Sequence, residues 1–305
     1  MTTSSTNLIE IIEFTDPVCT WCWGSEPVLR KLETIYGEQV KISFVMSGLV
    51  KDITSFYDSH NDIGGDPARS NKNIAKHWLE ASERHGMPVR SEGFMLFSQE
   101  HPSSYPLNIA YKAAQIQDQV LANRFLRRIR EASAAEAKQT NTTEVLVELA
   151  SEVGLDVARF LEDFSHGAAQ KAFEQDLAMT ARYQAHGFPT FLVRFGEKET
   201  LLRGYKRYEE FKAVIGYLTN GTIHERPIAA SEEAIMAFIR KYDSVAPIEI
   251  KMTFDMTDVE LKSVGDSLLT KQMITRREAG NGYFFSARSS SMACDSATGI
   301  CAVAQ

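Results

Sequence analysis

A run of β-branched residues at 7–14 leads through Asp16-Pro17 into Cys19-Thr20-Trp21-Cys22, where an amphipathic stretch begins. The run, with Ile9, Ile11, Ile12 and Phe14, predicts a strand. Asp16-Pro17 is a turn signal. From about residue 18 to 36, Val28, Leu29, Leu32 and Ile35 share one helical face, and Gly37 offers a stop. Over 40–46, Val40, Ile42, Phe44 and Met46 alternate with period two, as in a second strand. A β-α-β opening commits the chain to a parallel or mixed α/β sheet.

The text then changes. Residues 55–185 read as helical, with helices expected over 71–86, 105–117, 119–131, 142–153, 157–165 and 168–184. Strand signals return at 190–195 and 200–203, and a helix over 208–218 closes the unit. Strands on both sides of a helical block imply one sheet with an all-helical insertion, together spanning about 7–218. After a linker at 219–230, a small unit follows over 230–288. Helices are expected over 231–242 and 247–254. Thr257 and Glu260 form a capping box that opens a third, and 273–278 can pair with 283–288 across Gly280-Asn281-Gly282. That is the order of a winged helix-turn-helix. The Ser- and Ala-rich stretch 289–305 reads as a flexible tail carrying Cys294 and Cys301.

Bulk properties narrow the function. A net charge of −7 over 305 residues argues against nucleic acid or an anionic membrane as partner. The candidate recognition helix holds Asp258, Glu260 and Asp266 against Lys262, whereas phosphate contacts need Lys and Arg. Residues 1–7 lack Lys and Arg and precede no apolar core of a signal peptide, so a cytoplasmic location is expected. In that compartment a close cysteine pair means redox chemistry or metal more often than a structural staple.

Cys19 falls just past a strand, where a helix begins. Unpaired N–H groups and the positive end of the helix dipole favour a thiolate there, and the thiolate is the nucleophile. Cys22, one turn on, is placed to attack a mixed disulfide on Cys19. The competing reading is half a zinc site. Zinc wants four ligands, and His77, His85, His101, His166 and His186 lack metal-like spacing, so no metal is assigned. Trp21 is expected to shape the exposed face and Trp23 to sit in the core. Asp16 is either a proton carrier or, more plainly, a turn residue. Cys294 and Cys301 are either a relay dithiol exchanging with Cys19 and Cys22, a second metal or redox site, or inert.

Strand, Cys-x-x-Cys and helix, Pro27 five residues after Cys22, the helical insertion and the late Gly187-Phe188-Pro189-Thr190 together resemble the DsbA-like family. Within it, the Cys-x-Trp-Cys dithiol after Asp-Pro is similar to the cytoplasmic FrnE-like thiol–disulfide oxidoreductases. The resemblance implies a thioredoxin-like fold, with Cys19 attacking, Cys22 resolving and Pro189 as a cis-proline facing them. It implies that Trp21, Phe188 and Thr190 contact an extended protein substrate, without a cofactor. Over nearly the whole chain it also resembles the Spx-degradation adaptor family, which delivers a regulator to the ClpXP protease. Asp16-Pro17 with the two cysteines, Glu26-Pro27-Val28 and Lys112-Ala113-Ala114 carry that likeness. It implies a protease-regulator partner. Kappa-class glutathione transferases share the fold but replace the dithiol with a single Ser or Cys, so the intact pair speaks against them.

Overall fold

A computed structural model of the chain describes residues 8–288, 292–294 and 301–303. Strand β1 (Ile9–Thr15) leads into helix α1 (Thr20–Tyr36), and β2 (Val40–Met46) returns beside β1. The pair is parallel, from Ile9 opposite Val40 to Thr15 opposite Met46. Gly37 ends α1 with a φ of 56°, a conformation that costs a residue without a Cβ little.

The helical block holds a two-residue ladder, β3 (Tyr57–Asp58) with β4 (Ile63–Gly64), then α2 (Pro67–His85), α3 (Tyr105–Gln117), α4 (Gln119–Ala134), α5 (Thr143–Glu152), α6 (Val157–Ser165) and α7 (Ala168–Arg182). Strands β5 (Thr190–Phe195) and β6 (Lys198–Arg203) complete the sheet in the order β2-β1-β5-β6, and α8 (Tyr208–Thr219) packs on it. The expected helices are all present within a few residues of their bounds. The β3–β4 ladder departs from the all-helical reading. Two residues are too few for period-two alternation to register.

The sheet packs Ile12, Phe14, Val45 and Leu192 on one face against Met179 and Tyr183, and two larger apolar cores lie elsewhere in this unit. One joins Ile9, Ile11, Val28, Leu32, Phe191, Val193, Phe211 and Ile215. The other fills the insertion around Trp23, Trp78, Phe97, Tyr111, Phe125, Phe160 and Phe173. Each such buried side chain contributes about 1.5–3 kcal/mol. The irregular chain between α2 and α3 is pinned by Asn71. Its amide donates to the Phe97 carbonyl at 2.7 Å and accepts from the Leu96 and Phe97 N–H groups at 3.1 and 3.0 Å.

Past residue 230 come α9 (Glu232–Tyr242), α10 (Pro247–Thr253), α11 (Asp258–Thr270) and a hairpin of β7 (Ile274–Ala279) with β8 (Gly282–Ala287). This unit has its own core, including Ile235, Phe238, Ile239, Ile250, Leu268 and Phe285. It docks on α1. The Tyr242 hydroxyl donates to Glu33 at 2.7 Å, Lys31 pairs with Asp255, and the Arg30 guanidinium lies 4.3 Å from the centre of the Tyr242 ring. The hairpin tip meets the segment after α2. The Asn281 N–H donates to the Val89 carbonyl at 2.9 Å, and the Asn281 side chain accepts from the Val89 N–H at 2.8 Å. A short antiparallel ladder places Cys294 opposite Cys301 in register. Their side chains, and so the proposed relay, lie outside the described residues.

Candidate functional site

The β1–α1 turn places the dithiol. Cys19 is the N-cap of α1, with an extended backbone, and its Sγ accepts the Cys22 N–H at 3.3 Å. Both cysteines are unbonded thiols. Cys19 is 6% exposed and Cys22 fully buried. The turn is braced from below by Asp16. One of its oxygens accepts the Val18 N–H at 3.0 Å. The other accepts from the Leu49 N–H at 2.7 Å, the Ser104 hydroxyl at 2.9 Å and the Asn108 amide at 2.8 Å. Burial pushes its pKa up, while the hydrogen bonds from Leu49, Val18, Asn108 and Ser104 act against that shift. Asp16 is therefore a turn residue, and it ties the dithiol loop to β2 and α3 as well.

Cys19 opens into a cavity of about 420 Å³ lined by apolar and aromatic groups, among them Leu49, Ile63, Ile74, Trp78 and Phe97, and also by polar and charged ones such as Asp58, His77, Glu80 and Arg84. Trp21 and Phe188 line it too, so the dithiol and the late proline loop share one wall. The Phe188–Pro189 peptide is cis. Thr190 stands apart from the cavity, its hydroxyl donating to the Gly187 carbonyl at 2.7 Å. Trp21 is half-buried among His77, His85 and Tyr205, with ring centres 6.2, 6.0 and 5.8 Å away. Such aromatic packing restricts the indole. His85 sits behind it. Burial pushes its pKa down to about 4, so it is neutral at physiological pH. Its Nδ1 accepts the Met87 N–H at 3.1 Å, which assigns the proton to Nε2. Gly24 admits this ring, since a Cβ there would lie 2.5 Å from it. Trp23 is core, its indole N–H donating to the Pro88 carbonyl at 3.0 Å.

Cys22, Glu26 and Arg30 are spaced by four and form one stripe of α1 that faces away from solvent. Glu13, at an inward position of β1, meets the same region and is fully buried. Arg130 of α4 ties the groups together. It donates to Glu26 at 2.6 Å, to the Thr15 hydroxyl at 2.6 Å and to Glu13 at 3.3 Å. The other Glu13 oxygen has no partner among the described residues. Burial raises the Glu13 pKa to about 7, against the pull of Arg130 and with a push from Glu26. Burial also opposes ionisation of Glu26, but Arg130, Arg127 and Arg30 overcome it and hold its pKa down. Burial, the hydrogen bond with Cys19 and the charges of Cys19 and Glu13 raise the Cys22 thiol well above its ordinary value. Cys22 is thus held as a thiol in the same buried region as Glu13, a carboxyl that titrates close to neutrality.

Comparison with known proteins places this architecture. The sequence profile described as Thioredoxin matches residues 13–213. The chain belongs to the thioredoxin family. Among solved structures, this thioredoxin-family chain resembles the cytosolic disulfide reductase DsbM of Pseudomonas aeruginosa. The TM-score is 0.52 at 21% identity, over 68% of this chain and 97% of that one, a likeness of fold. By sequence it is 28% identical over 269 residues to the ClpXP adapter protein SpxH of Halalkalibacterium halodurans, covering 87% of this chain and 84% of the relative. It is 25% identical over 282 residues to SpxH of Bacillus subtilis, covering 91% and 88%. The fold is also similar to that of a probable DsbA oxidoreductase of Streptomyces coelicolor, with a TM-score of 0.53 at 17% identity over 73% of this chain and 94% of that one. The thioredoxin profile, this likeness of fold and the SpxH relatives agree with the two resemblances drawn from the sequence.

Among the described residues, no cluster of three or more His, Cys, Asp or Glu side chains is placed to hold a metal ion. Sequence reasoning did not single out Glu13, Glu26, Arg130 or His85 as parts of the site. Glu13 carried a signal. It shares a face with Ile9, Ile11 and Thr15, all buried, and a carboxylate there must be paired or neutralised.

Proposed function

We propose that this thioredoxin-family chain exchanges disulfides with extended protein segments, Cys19 attacking and Cys22 resolving. The observation that carries this reading is the geometry of Cys19: an unbonded thiol at a helix N-cap, at the edge of a largely apolar cavity, with a second thiol one turn behind. In the reducing direction, the Cys19 thiolate attacks a substrate disulfide and forms a mixed disulfide. One substrate sulfur leaves as a thiolate. Cys22 gives its proton to the Glu13 carboxylate and attacks the Cys19 sulfur. The Cys19–substrate bond breaks, the second substrate sulfur leaves and takes a proton from water, and Cys19–Cys22 becomes a disulfide. Two electrons pass from the chain to the substrate. A reducing dithiol partner restores the pair.

Trp21 and Phe188 line the cavity, and we assign them to the substrate side chains beside the attacked cysteine. Thr190 orders the loop from behind. The compartment follows from the same reading. A reductase or isomerase suits the reducing cytoplasm, and no described helix is long and apolar enough to cross a membrane. We read the C-terminal unit as winged-helix-like and as a protein-contact module rather than a DNA reader.

A second reading has its own support. SpxH relatives match over most of their length, so the fold is equally suited to presenting a regulator to a protease. Insulin reduction by wild type and by Cys19→Ala separates the two. Exchange chemistry requires turnover that falls by roughly a thousandfold or more in the variant. Turnover that is absent, or independent of Cys19, overturns it in favour of the adaptor. Cys22→Ala then traps the partner, as a mixed disulfide on Cys19.

A further inference from the structure

The buried charges behind Cys22 do not end at Glu26. Arg127, one turn before Glu131 on α4, reaches Glu26 at 3.4 Å with one terminal nitrogen. It places both terminal nitrogens on Glu249 of α10, at 2.8 and 3.0 Å. Glu249 is itself fully buried, accepts Arg30 at 2.9 Å and accepts the Ala246 N–H at 2.7 Å. The result is an alternating chain of acid and guanidinium. It runs Glu13, Arg130, Glu26, Arg127, Glu249 and links the buried region behind Cys22 to the C-terminal unit.

The contact lengths along it are unequal. Arg127 is closest to Glu249 and loosely attached to Glu26. Arg130 is closest to Glu26 and loosely attached to Glu13. We propose that Glu249 is a positioning residue for the dithiol: by detaining Arg127, it leaves Glu26 to compete for Arg130 and so keeps Glu13 incompletely paired. This inference rests on the exchange reading above, with Glu13 as the acceptor of the Cys22 proton.

Two physical effects of losing the Glu249 charge have the same sign. Arg127 is released toward Glu26, which frees Arg130 to close on Glu13. The buried region also gains one net positive charge. Both favour the Glu13 carboxylate over its acid form. Losing the Arg127 charge does the reverse. Glu26 then draws Arg130 more fully, and Glu13 is left with less compensation. The groups that face Glu13 are few. Helix α4 brings Arg130, with Arg127 behind it. Helix α1 brings Cys22 and Glu26, α3 brings Tyr111, and β1 itself brings Thr15. On the flanking strands the register partners are Phe44 and Phe191, which carry no charge.

The test uses the full chain with Cys294→Ser and Cys301→Ser, so that only the dithiol reacts with 5,5′-dithiobis(2-nitrobenzoate). Cys19 releases a first thionitrobenzoate and keeps the other as a mixed disulfide. Cys22, its proton passed to Glu13, attacks the Cys19 sulfur. The bond to the reagent breaks, a second thionitrobenzoate leaves, and Cys19–Cys22 forms. One reagent molecule is reduced and one dithiol oxidised. The first phase reports Cys19, and the pH midpoint of the second reports Glu13.

Glu249→Gln is expected to lower that midpoint, and Arg127→Gln to raise it, each by about half a pH unit or more. Opposite signs from two neighbouring substitutions are not what simple loosening of an interface produces. Glu249→Asp and Arg127→Lys, which keep the charge and the fold, move it in the same two directions by less. They carry the test if the glutamine variants do not fold. A midpoint that stays in place, or moves the same way in both positions, overturns the role of Glu249. A missing Cys19-dependent first phase overturns the exchange reading itself.

Discussion

On its cavity side α1 begins with Cys19 and Trp21 among aromatic rings, whereas on its inward side it carries Cys22, Glu26 and Arg30 among buried ions. The cavity side is open and lined mostly by apolar and aromatic groups with His77, Glu80 and Arg84 among them, so burial of an apolar side chain there would be favourable. The inward side is closed, and its ions are held only because each has a partner. Two cysteines three residues apart thus occupy unlike media. On the exchange reading proposed above, one meets the substrate and the other waits for its proton to leave.

The largest expected effect comes from breaking the inward side. Arg130→Met removes the cation that Glu13 and Glu26 share, and should cost about 3–5 kcal/mol in urea unfolding at pH 8. The loss should shrink at pH 5, where Glu13 holds a proton and needs no partner. A loss equal at both pH values would show that Glu13 is not the strained ion.

Next comes Glu13→Gln, expected to slow the Cys22 step about tenfold to a hundredfold at pH 8. It should also alter stability against pH. In the native state Glu13 keeps its proton up to about 7, above its ordinary value of 4.5. The folded chain therefore binds more protons than the unfolded chain between those values, and Glu13 makes stability fall as pH rises through that window. Glu13→Gln should flatten this decline in a series of urea midpoints. A decline of unchanged slope would assign it to another group.

The smallest effect sharpens the cavity side. Gly24→Ala puts a methyl group into the His85 ring and should cost about 1–3 kcal/mol. Displacing His85 also loosens Trp21, so trapping of protein partners should weaken more than reaction with a small disulfide. Equal weakening of both would detach Trp21 from substrate contact.

These two sides were not equally legible in the sequence. The β-α-β opening and Cys19 at the helix start are local patterns that periodicity and turn chemistry reveal, and the Phe188-Pro189 loop followed from the resemblance to DsbA-like proteins. The ionic side is long-range. Glu13 and Arg130 are 117 residues apart in sequence, and nothing in the α4 pattern distinguishes Arg130 from a solvated arginine. Asp16 shows the same limit. Its turn role could be read from Asp-Pro, but its bonds to Leu49, Ser104 and Asn108 exist only after folding.

Hairpin tips ordinarily tolerate insertions, because they project into water. The tip joining β7 and β8 is exposed but also anchored. At Gly280, with φ of 55°, a Cβ would stand 2.3 Å from the Val89 carbonyl oxygen, and Asn281 is bonded to Val89 from both directions. Its length is thus dictated by a segment nearly two hundred residues earlier. One added residue would push the reverse turn into the strip of chain whose Pro88 carbonyl anchors Trp23. An insertion at this edge of the C-terminal unit would have to displace Val89 or the turn itself.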